Sequence, residues 1–321
     1  MNLKSTALVA IALFLAACGG NDEPAAAVEP QVDAGEALHA LFDEHFERGL
    51  EMNPLSATFI GDNRFNDRLS HFASQEFRDA AEAMDREFLE RLLQIDRAQL
   101  SYQDQLSYDI FKIDREESLE GNRFPGHLQP INQFRNMMNF LVQLGSGASA
   151  HPFKTVKDYD DWLSRVDDAI FNTDLMIENM QEGMRQGIVQ PRILMEKVIP
   201  QLESQIVDDV TQSAFYKPIV NMPDDFSDEE RKRLTAAFED KIANAIIPAY
   251  ARLNNFIGDE YLSSARETVG LYALPNGNDW YAYNVRTITT TDMSPEEIHQ
   301  IGLDEVARIH GEMNAVMEEV G

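Results

Sequence analysis

The chain has 321 residues, of which 44% are hydrophobic, and it carries 27 lysine or arginine and 55 aspartate or glutamate side chains, for a formal net charge of −28. This charge repels nucleic acid and anionic lipid headgroups, and it therefore argues against a nucleic-acid partner. The hydrophobic fraction suffices for the core of one large domain or of two ordinary ones.

The first predicted element is a secretory signal. A basic start at Lys4 precedes an apolar run from Ala7 to Ala17, which is too short to span a bilayer as a mature helix. The signal peptide is therefore predicted to cover residues 1–17.

The run ends in LAAC, which resembles the lipobox of bacterial lipoproteins and contains the only cysteine of the chain. The resemblance implies cleavage before Cys18 and lipidation of its thiol, so that the acyl chains hold the protein at a membrane. Gly19 stands where inner-membrane retention signals carry aspartate, which favours the outer membrane and a domain that faces the periplasm. The alternative is an ordinary signal peptide with an incidental cysteine.

Residues 18–33 are rich in Gly, Ala, Pro and acidic residues and have no periodicity, which predicts a flexible tether. Over residues 34–321, apolar residues recur at helical spacing and strand-like alternation is almost missing, so the predicted fold class is all-α. The predicted helices are one from about Asp33, one from about Ser74 to Ile95, one from about Ser101 to Glu120, a short one from Met137 to Leu144, one from Thr155 to near Gly183, one from Pro191 with a kink at Pro200, one from Ser227 with a bend at Pro248, and one from Ser294.

Two segments between these helices are predicted to be irregular. The stretch MNPLSATFIGDNRFNDRLSHF is interrupted by Pro54 and Gly61 and is typical of an ordered loop. The stretch GLYALPNGNDW is rich in turn-forming residues and precedes a short aromatic segment.

The last predicted helix has the clearest start. Ser294 can cap the first turn, Pro295 suits the first helical position, and Glu297 lies where a capping box closes. The apolar residues that follow at helical spacing form a stripe that needs a packing partner, and we expect it to stay uncovered in this chain alone and to promote association. These residues are Ile298, Ile301, Val306, Ile309, Met313, Val316 and Val320.

Motifs that would reveal a catalytic or metal site are not found in the sequence. None of the seven histidines lies in HExxH, and the helical spacing of His299 and His310 separates them by roughly 16 Å, too far for one metal ion. Nucleophile elbows and phosphate-binding loops are likewise not found, and the sequential acidic pairs are typical of solvated surface. We therefore assign no catalytic residue and no metal ligand in this chain.

The best binding candidate in the sequence is LPNGNDWYAYNVR. It groups Trp280, Tyr281, Tyr283 and Arg286, residue types that line clefts for peptides or other carboxylate-bearing ligands. The alternative is that the aromatic residues form the core side of a short helix. A second loop, GSGASAHPF, is interpreted either as substrate-facing or as a plain connector.

Three stretches together carry a family resemblance. They are NPLSATFIGDNRFNDRLSHF, GMRQGIVQPRILMEKVIPQL and GLYALPNGNDWYAYNVRTITTTDMSPEEIHQIGLDEVARI. In these stretches the sequence resembles the family catalogued as domain of unknown function 885. Many members are bacterial lipoproteins or secreted proteins, they are mostly helical, and they run to roughly twice this length. They are distantly similar to zinc metallopeptidases of the carboxypeptidase and angiotensin-converting-enzyme type, in which a His-Glu motif binds zinc and the glutamate activates a metal-bound water.

The resemblance implies that residues 34–321 are the helical N-terminal half of a larger metallopeptidase-like fold. This half would supply one wall of the cleft, and the zinc motif would lie beyond residue 321, so this chain alone is predicted to be inactive and to hold no cofactor. The implied partners are a peptide or amide substrate, the membrane through the lipid anchor, and the missing C-terminal half. A naturally shortened gene is the alternative explanation of the length.

Two other functions remain open at this point. One is a non-catalytic helical lipoprotein that binds peptides or an envelope protein through its acidic surface. The other is a structural helical bundle without a ligand.

Overall fold

Residues 33–321 are described by a computed structural model, so the predicted signal peptide, Cys18 and all but the last residue of the tether lie outside the described residues. Between residues 33 and 321 the chain forms helices joined by turns, with one isolated β-bridge between Pro191 and Arg266. The all-α prediction is confirmed. Within this range, every helix is too short or too polar to cross a membrane.

The N-terminal part contains α1 (Ala34–Met52), α2 (Pro54–Phe59), α3 (Gln75–Leu92) and α4 (Tyr102–Gly121). The predicted starts of α3 and α4 are confirmed, because the hydroxyls of the preceding serines accept hydrogen bonds from backbone N–H groups in the first turn. Helices α1, α3 and α4 share a small core. Its buried residues are Leu38, Leu41, Met84, Phe88, Leu92, Leu100 and Tyr108.

The loop prediction around Pro54 was wrong for six residues. Pro54 occupies the first position of α2, where its missing N–H costs no hydrogen bond, so it begins a helix rather than interrupting one. Gly61 follows the helix with a φ of 84°, a conformation that favours glycine.

A larger core surrounds α6 (Val156–Gln186), with α5 (Met137–Gly145) and α7 (Arg192–Glu203) beside it. Helix α6 begins with the predicted cap, in which Thr155 and Asp158 form a reciprocal capping box. It extends three residues beyond its predicted end. The core residues include Trp162, Val166, Met195, Phe215, Tyr250 and Leu253.

Helix α6 was predicted to end near Gly183, and this glycine lies in its last turn, where it packs closely against neighbouring backbone. A Cβ atom there would lie 2.6 Å from the backbone oxygen of Ile188 and 2.9 Å from that of Leu128. The helix ends at Gly187, whose φ of 72° forms the left-handed cap.

After the four-residue α8 (Lys217–Val220), one continuous helical segment is built from α9 (Asp228–Lys241), α10 (Ile247–Asn255) and α11 (Leu262–Ser264). Two π-helical segments, Ile242–Ile246 and Phe256–Tyr261, join its parts. The segment Ile242–Ile246 ends directly before α10, and Pro248 lies in the first turn of α10. Proline has no N–H to donate to an α-helical hydrogen bond, and the wider π-helical turn lies where that bond is missing.

The C-terminal part consists of α12 (Gly277–Thr289) and α13 (Pro295–Val320). Helix α12 begins inside the stretch that was predicted to be a turn-rich loop, directly after Asn276 in a left-handed conformation. The capping box of α13 is confirmed, because Ser294 Oγ accepts from the N–H of Glu297 at 3.2 Å and the Glu297 carboxylate accepts from the N–H of Ser294 at 2.8 Å.

Not one residue of α13 is buried. Its predicted apolar stripe therefore faces solvent, with Val306 53% and Met313 56% exposed. The expectation that this stripe finds no cover within residues 33–321 is confirmed.

Candidate binding groove

A groove of about 470 Å³ lies between α4 and the turn that joins α12 to α13. We call it the α4–α12 groove. It is lined by Ile110, Ile113, Asp114, Glu117, Arg286, Thr287, Thr290, Thr291 and Asp292. It thus brings together the middle of α4 and the TTTD sequence, which belongs to the third stretch of the family resemblance.

The floor of the groove is apolar and open to solvent. Ile110 is 64% exposed and Ile113 is 52% exposed. They continue a stripe on α4 that also contains Tyr102 and Leu106, at spacings of four, four and three residues, so one face of the helix is apolar along three turns. Tyr108, by contrast, is buried in the small core. Helix α4 therefore has one covered and one uncovered apolar face.

Helix α12 is fixed on the end of α4 by aromatic residues. The hydroxyl of Tyr283 donates to the backbone oxygen of Glu117 at 2.9 Å, and a Cβ atom at Gly121 would lie 2.5 Å from that hydroxyl. Trp280 stacks on Phe124 with 5.8 Å between ring centroids. Burial, and then the nearby glutamates, raise the pKa of Tyr283, so the phenol remains a hydrogen-bond donor.

Arg286 already has a partner. Its Nη2 donates to a carboxylate oxygen of Glu120 at 2.5 Å, and its guanidinium lies 5.7 Å from the ring centroid of Tyr283. The charges of Arg286 and Glu120 therefore compensate each other at one side of the groove.

The turn at the other side is strained. Thr290 has a φ of 55°, which is unfavourable for a β-branched residue, and its N–H donates to the backbone oxygen of Arg286 at 2.8 Å. Its hydroxyl donates to the backbone oxygen of Thr289, and the hydroxyls of Thr289 and Thr291 lie 3.0 Å apart. Backbone strain of this kind clusters at binding and catalytic sites.

The charge of the groove is negative. Asp114, Glu117 and Asp292 line it, and within residues 33–321 none of their carboxylates forms an ion pair. Because the only cationic side chain in the lining, Arg286, is paired with Glu120, three carboxylates around the apolar floor are uncompensated.

The four residues predicted from the sequence to bind substrate take different positions. Trp280, Tyr283 and Arg286 lie on the side of α12 that contacts α4 and the loop after it, whereas Tyr281 is 48% exposed. Arg286 alone among the four lines the groove. The contribution of α4 was not predicted from the sequence, although apolar residues on both faces of a helix are a signal for two contact surfaces.

A second polar centre ties the NPLSATFIGDNRF stretch to α6. Arg165 is fully buried and forms no ion pair within residues 33–321. Its guanidinium donates to Thr58 Oγ1 at 2.9 Å and to the backbone oxygens of Phe65 at 3.1 Å and Arg68 at 3.2 Å. Burial lowers the pKa of Arg165 to about 10. This part of the family resemblance therefore has a structural explanation.

His151 completes this centre from the GSGASAHPF loop. Its Nδ1 accepts from Arg165 Nη1 at 3.2 Å, and its Nε2 donates to the backbone oxygen of Asp158 at 3.0 Å. Burial lowers the pKa of His151 to about 4, so the imidazole is neutral at pH 7. The loop also lines a pocket of about 420 Å³, but both nitrogens of His151 are already engaged.

The described residues do not fit a zinc ion. Within residues 33–321, no three His, Cys, Asp or Glu side chains are placed to hold a metal. The predicted separation of His299 and His310 on one helix stands, since both lie on α13.

The chain is similar to a known protein family and to a solved structure. No curated protein matches it significantly. A crystal structure described as "the putative lipoprotein from Colwellia psychrerythraea" is similar over 89% of this chain and 51% of its own, with a TM-score of 0.77 and 20% sequence identity. This chain thus spans about half the length of that protein, and the likeness shows a shared fold. A family model described as "bacterial protein of unknown function (DUF885)" matches residues 54–321, and the chain belongs to this family.

Proposed function

We propose that this chain forms one wall of the substrate cleft of a periplasmic hydrolase that resembles zinc-dependent peptidases and is anchored to the membrane through Cys18. The α4–α12 groove, with its open apolar floor and fixed polar rim, is the observation that carries the proposal. Clefts that bind peptides combine an apolar surface with a few well-placed polar groups.

The uncovered apolar surface supports a role as part of a larger assembly. The stripe of α13 presents large apolar side chains to solvent. Contiguous apolar patches of this kind mark sites of contact with another protein surface. The solved structure of similar fold has about twice the length of the matched part, which gives room for a second wall.

In this proposal the zinc ligands come from residues outside this chain. When bound, zinc would lower the pKa of a water molecule and polarise the scissile carbonyl. The residues described here would bind and orient the substrate.

The proposal is tested on the complete protein that contains this chain. We expect metal analysis to find one zinc ion per molecule, and we expect chelation to abolish cleavage of peptides. The 321-residue chain alone is expected to be inactive. A complete protein that binds peptides but neither holds zinc nor cleaves them would instead favour a non-catalytic binding lipoprotein.

A matched pair of variants tests the place of the groove in this activity. Ile113→Glu introduces a charge on the groove floor, and Ile193→Glu does the same on α7, where the isoleucine is 51% exposed against 52% for Ile113. We expect Ile113→Glu to raise the KM for peptides and Ile193→Glu to leave it unchanged. Equal KM values in the two variants would show that the groove does not bind the substrate.

A further inference from the structure

We infer that the α4–α12 groove selects peptides in which a lysine or arginine side chain lies beside an apolar residue. The inference rests on the proposed function for the kind of molecule that enters the groove. The preference for a cationic side chain follows from the contacts of the groove itself.

The first step concerns Arg286. A free arginine in a cleft favours ligands that bear carboxylates. Here the guanidinium donates to Glu120 at 2.5 Å, and both side chains are only about a third exposed. Recruiting Arg286 to an anionic ligand would therefore require breaking this pair and leaving the Glu120 carboxylate with only its longer contact of 3.8 Å to Arg123. Among residues 33–321, no other cationic side chain lines the groove.

The second step concerns the uncompensated carboxylates. Asp114 and Glu117 lie one turn of α4 apart at the edge of the apolar floor, and Asp292 lies on the turn after α12. A lysine or arginine side chain has an apolar stem and a charged end, so it can cover Ile110 or Ile113 with the stem while the end reaches a carboxylate. An acidic side chain in the same position would meet three like charges.

The third step concerns the neighbouring positions of the ligand. The apolar stripe continues from the groove along α4 through Leu106 to Tyr102, which is 78% exposed. An apolar residue next to the basic one in the peptide can therefore pack on α4. Thr290 and Thr291 line the groove from the turn after α12, and because the Thr290 hydroxyl already donates to the backbone oxygen of Thr289, it can only accept a hydrogen bond from the peptide backbone.

The test is a binding measurement that needs no catalysis. The probes are two short fluorescent peptides, one with alternating leucine and lysine and one with alternating leucine and glutamate. Fluorescence anisotropy with the purified full chain is expected to show binding of the lysine peptide that weakens as salt is added, because exposed charges are screened. The glutamate peptide is expected to bind at least about tenfold more weakly.

Two charge-matched triple variants locate the site. Asp114→Asn, Glu117→Gln and Asp292→Asn together neutralise the groove and should weaken the lysine peptide about tenfold, since each exposed pair contributes a modest amount. The control is Glu178→Gln, Asp224→Asn and Asp225→Asn, which removes the same charge from exposed positions that do not line the groove. The control should bind the lysine peptide like the parent chain.

Several results would overturn the inference. One is that both triple variants weaken binding of the lysine peptide equally. The others are that the parent chain binds the two peptides equally well, or binds neither. A chain dimer in sedimentation that dissociates on Ile113→Glu would also overturn it, because a second copy would then occupy the groove. The complete protein could also prefer the lysine peptide and yet have no hydrolase activity. That result would refute the proposed function and leave the inference intact.

Discussion

Nη1 of Arg165 lies 3.2 Å from Nδ1 of His151, and neither side chain is more than 2% exposed. Arginine can only donate a hydrogen bond, so Nδ1 of His151 is the acceptor and the ring proton resides on Nε2, which faces the backbone oxygen of Asp158. The contact therefore requires a neutral imidazole.

This requirement predicts a pH dependence of stability. The pKa of His151 is about 4 in the folded protein against an ordinary value of 6.5, so below pH 6.5 the unfolded chain takes up this proton first. Titration of His151 should therefore not affect the free energy of unfolding above pH 6.5. As the pH falls from 6.5 to 4, protonation of the unfolded chain should lower the free energy of unfolding by about 3 kcal/mol. Urea unfolding of the parent chain and of His151→Gln across this pH range measures the effect. The free energy of unfolding of the variant should decrease less steeply as the pH falls.

The control for this measurement is His39→Gln. His39 is exposed, and its hydrogen bond with Asp104 raises its pKa, which gives a pH dependence of the opposite sign. If His39→Gln and His151→Gln flatten the acid slope equally, the buried contact is not its source.

Loss of the Arg165 side chain should be strongly destabilising. Arg165→Met leaves the backbone oxygens of Phe65 and Arg68, and the hydroxyl of the buried Thr58, without the donor that Arg165 supplies. We expect the free energy of unfolding to fall by about 3–5 kcal/mol, measured by urea denaturation. Arg185→Met, on an arginine whose side chain is 66% exposed, should change it by less than about 0.5 kcal/mol. A loss below 1 kcal/mol at Arg165 would contradict the role of the cluster.

The fit of α12 on α4 can be tested with a single methyl group. Gly121→Ala places a Cβ atom against the hydroxyl of Tyr283 and should displace α12 from Glu117, so that stability falls although alanine favours helices. Thermal unfolding should show a lower Tm for Gly121→Ala. Gly49→Ala, in α1 with no neighbouring atom within 4 Å, should be stabilising by up to about 1 kcal/mol.

A rescue experiment separates this contact from a general helix effect. Adding Tyr283→Phe to Gly121→Ala removes the oxygen that the new methyl group meets. The double variant should recover part of the lost Tm, and a purely additive result would indicate that the two positions do not touch.

The uncovered stripe of α13 should be visible in solution. We expect this chain to bind a dye specific for exposed apolar surface and to self-associate as its concentration rises. Changing Ile309, Met313 and Val316 together to glutamine should reduce both signals without loss of stability, because none of the three is buried. A parent chain that melts cooperatively and binds no dye would contradict this expectation.

The starts of the helices could be predicted because they depend on local chemistry. The capping residues Thr155, Ser227 and Ser294 each bond a backbone N–H within three residues, so a short stretch of sequence contains the whole signal. The need for glycine at position 183 could not be predicted in the same way, because a Cβ atom there would lie 2.9 Å from the backbone oxygen of Leu128, which is distant in sequence.

The groove could be predicted only in part. Arg286 was identified from its aromatic neighbours, but its partner Glu120 is 166 residues earlier in the chain. The opposite side of the groove comes from α4, and periodicity does not tell which helix packs beside which. Cys18 and the lipid anchor remain predictions, since they lie outside the described residues.

The two π-helical segments between α9 and α11 set a constraint on the length of the chain. One buried position per turn follows another along this segment, with Ala249 and Phe256 buried beside them; these positions are Leu234, Phe238, Ile242, Ile246, Tyr250, Leu253, Ile257 and Tyr261. They span 27 residues in seven turns, whereas an ideal α-helix completes seven turns in about 25 residues. The two wide turns absorb the difference, so that every one of these side chains meets the core.

Removing a single residue from Ile242–Ile246 would rotate everything after it by about 100°. The hydroxyls of Tyr250 and Tyr261 would then leave the backbone oxygen of Met138 and the backbone N–H of Gln190. In this segment of the protein, the number of residues is as much a determinant of the core as their identity.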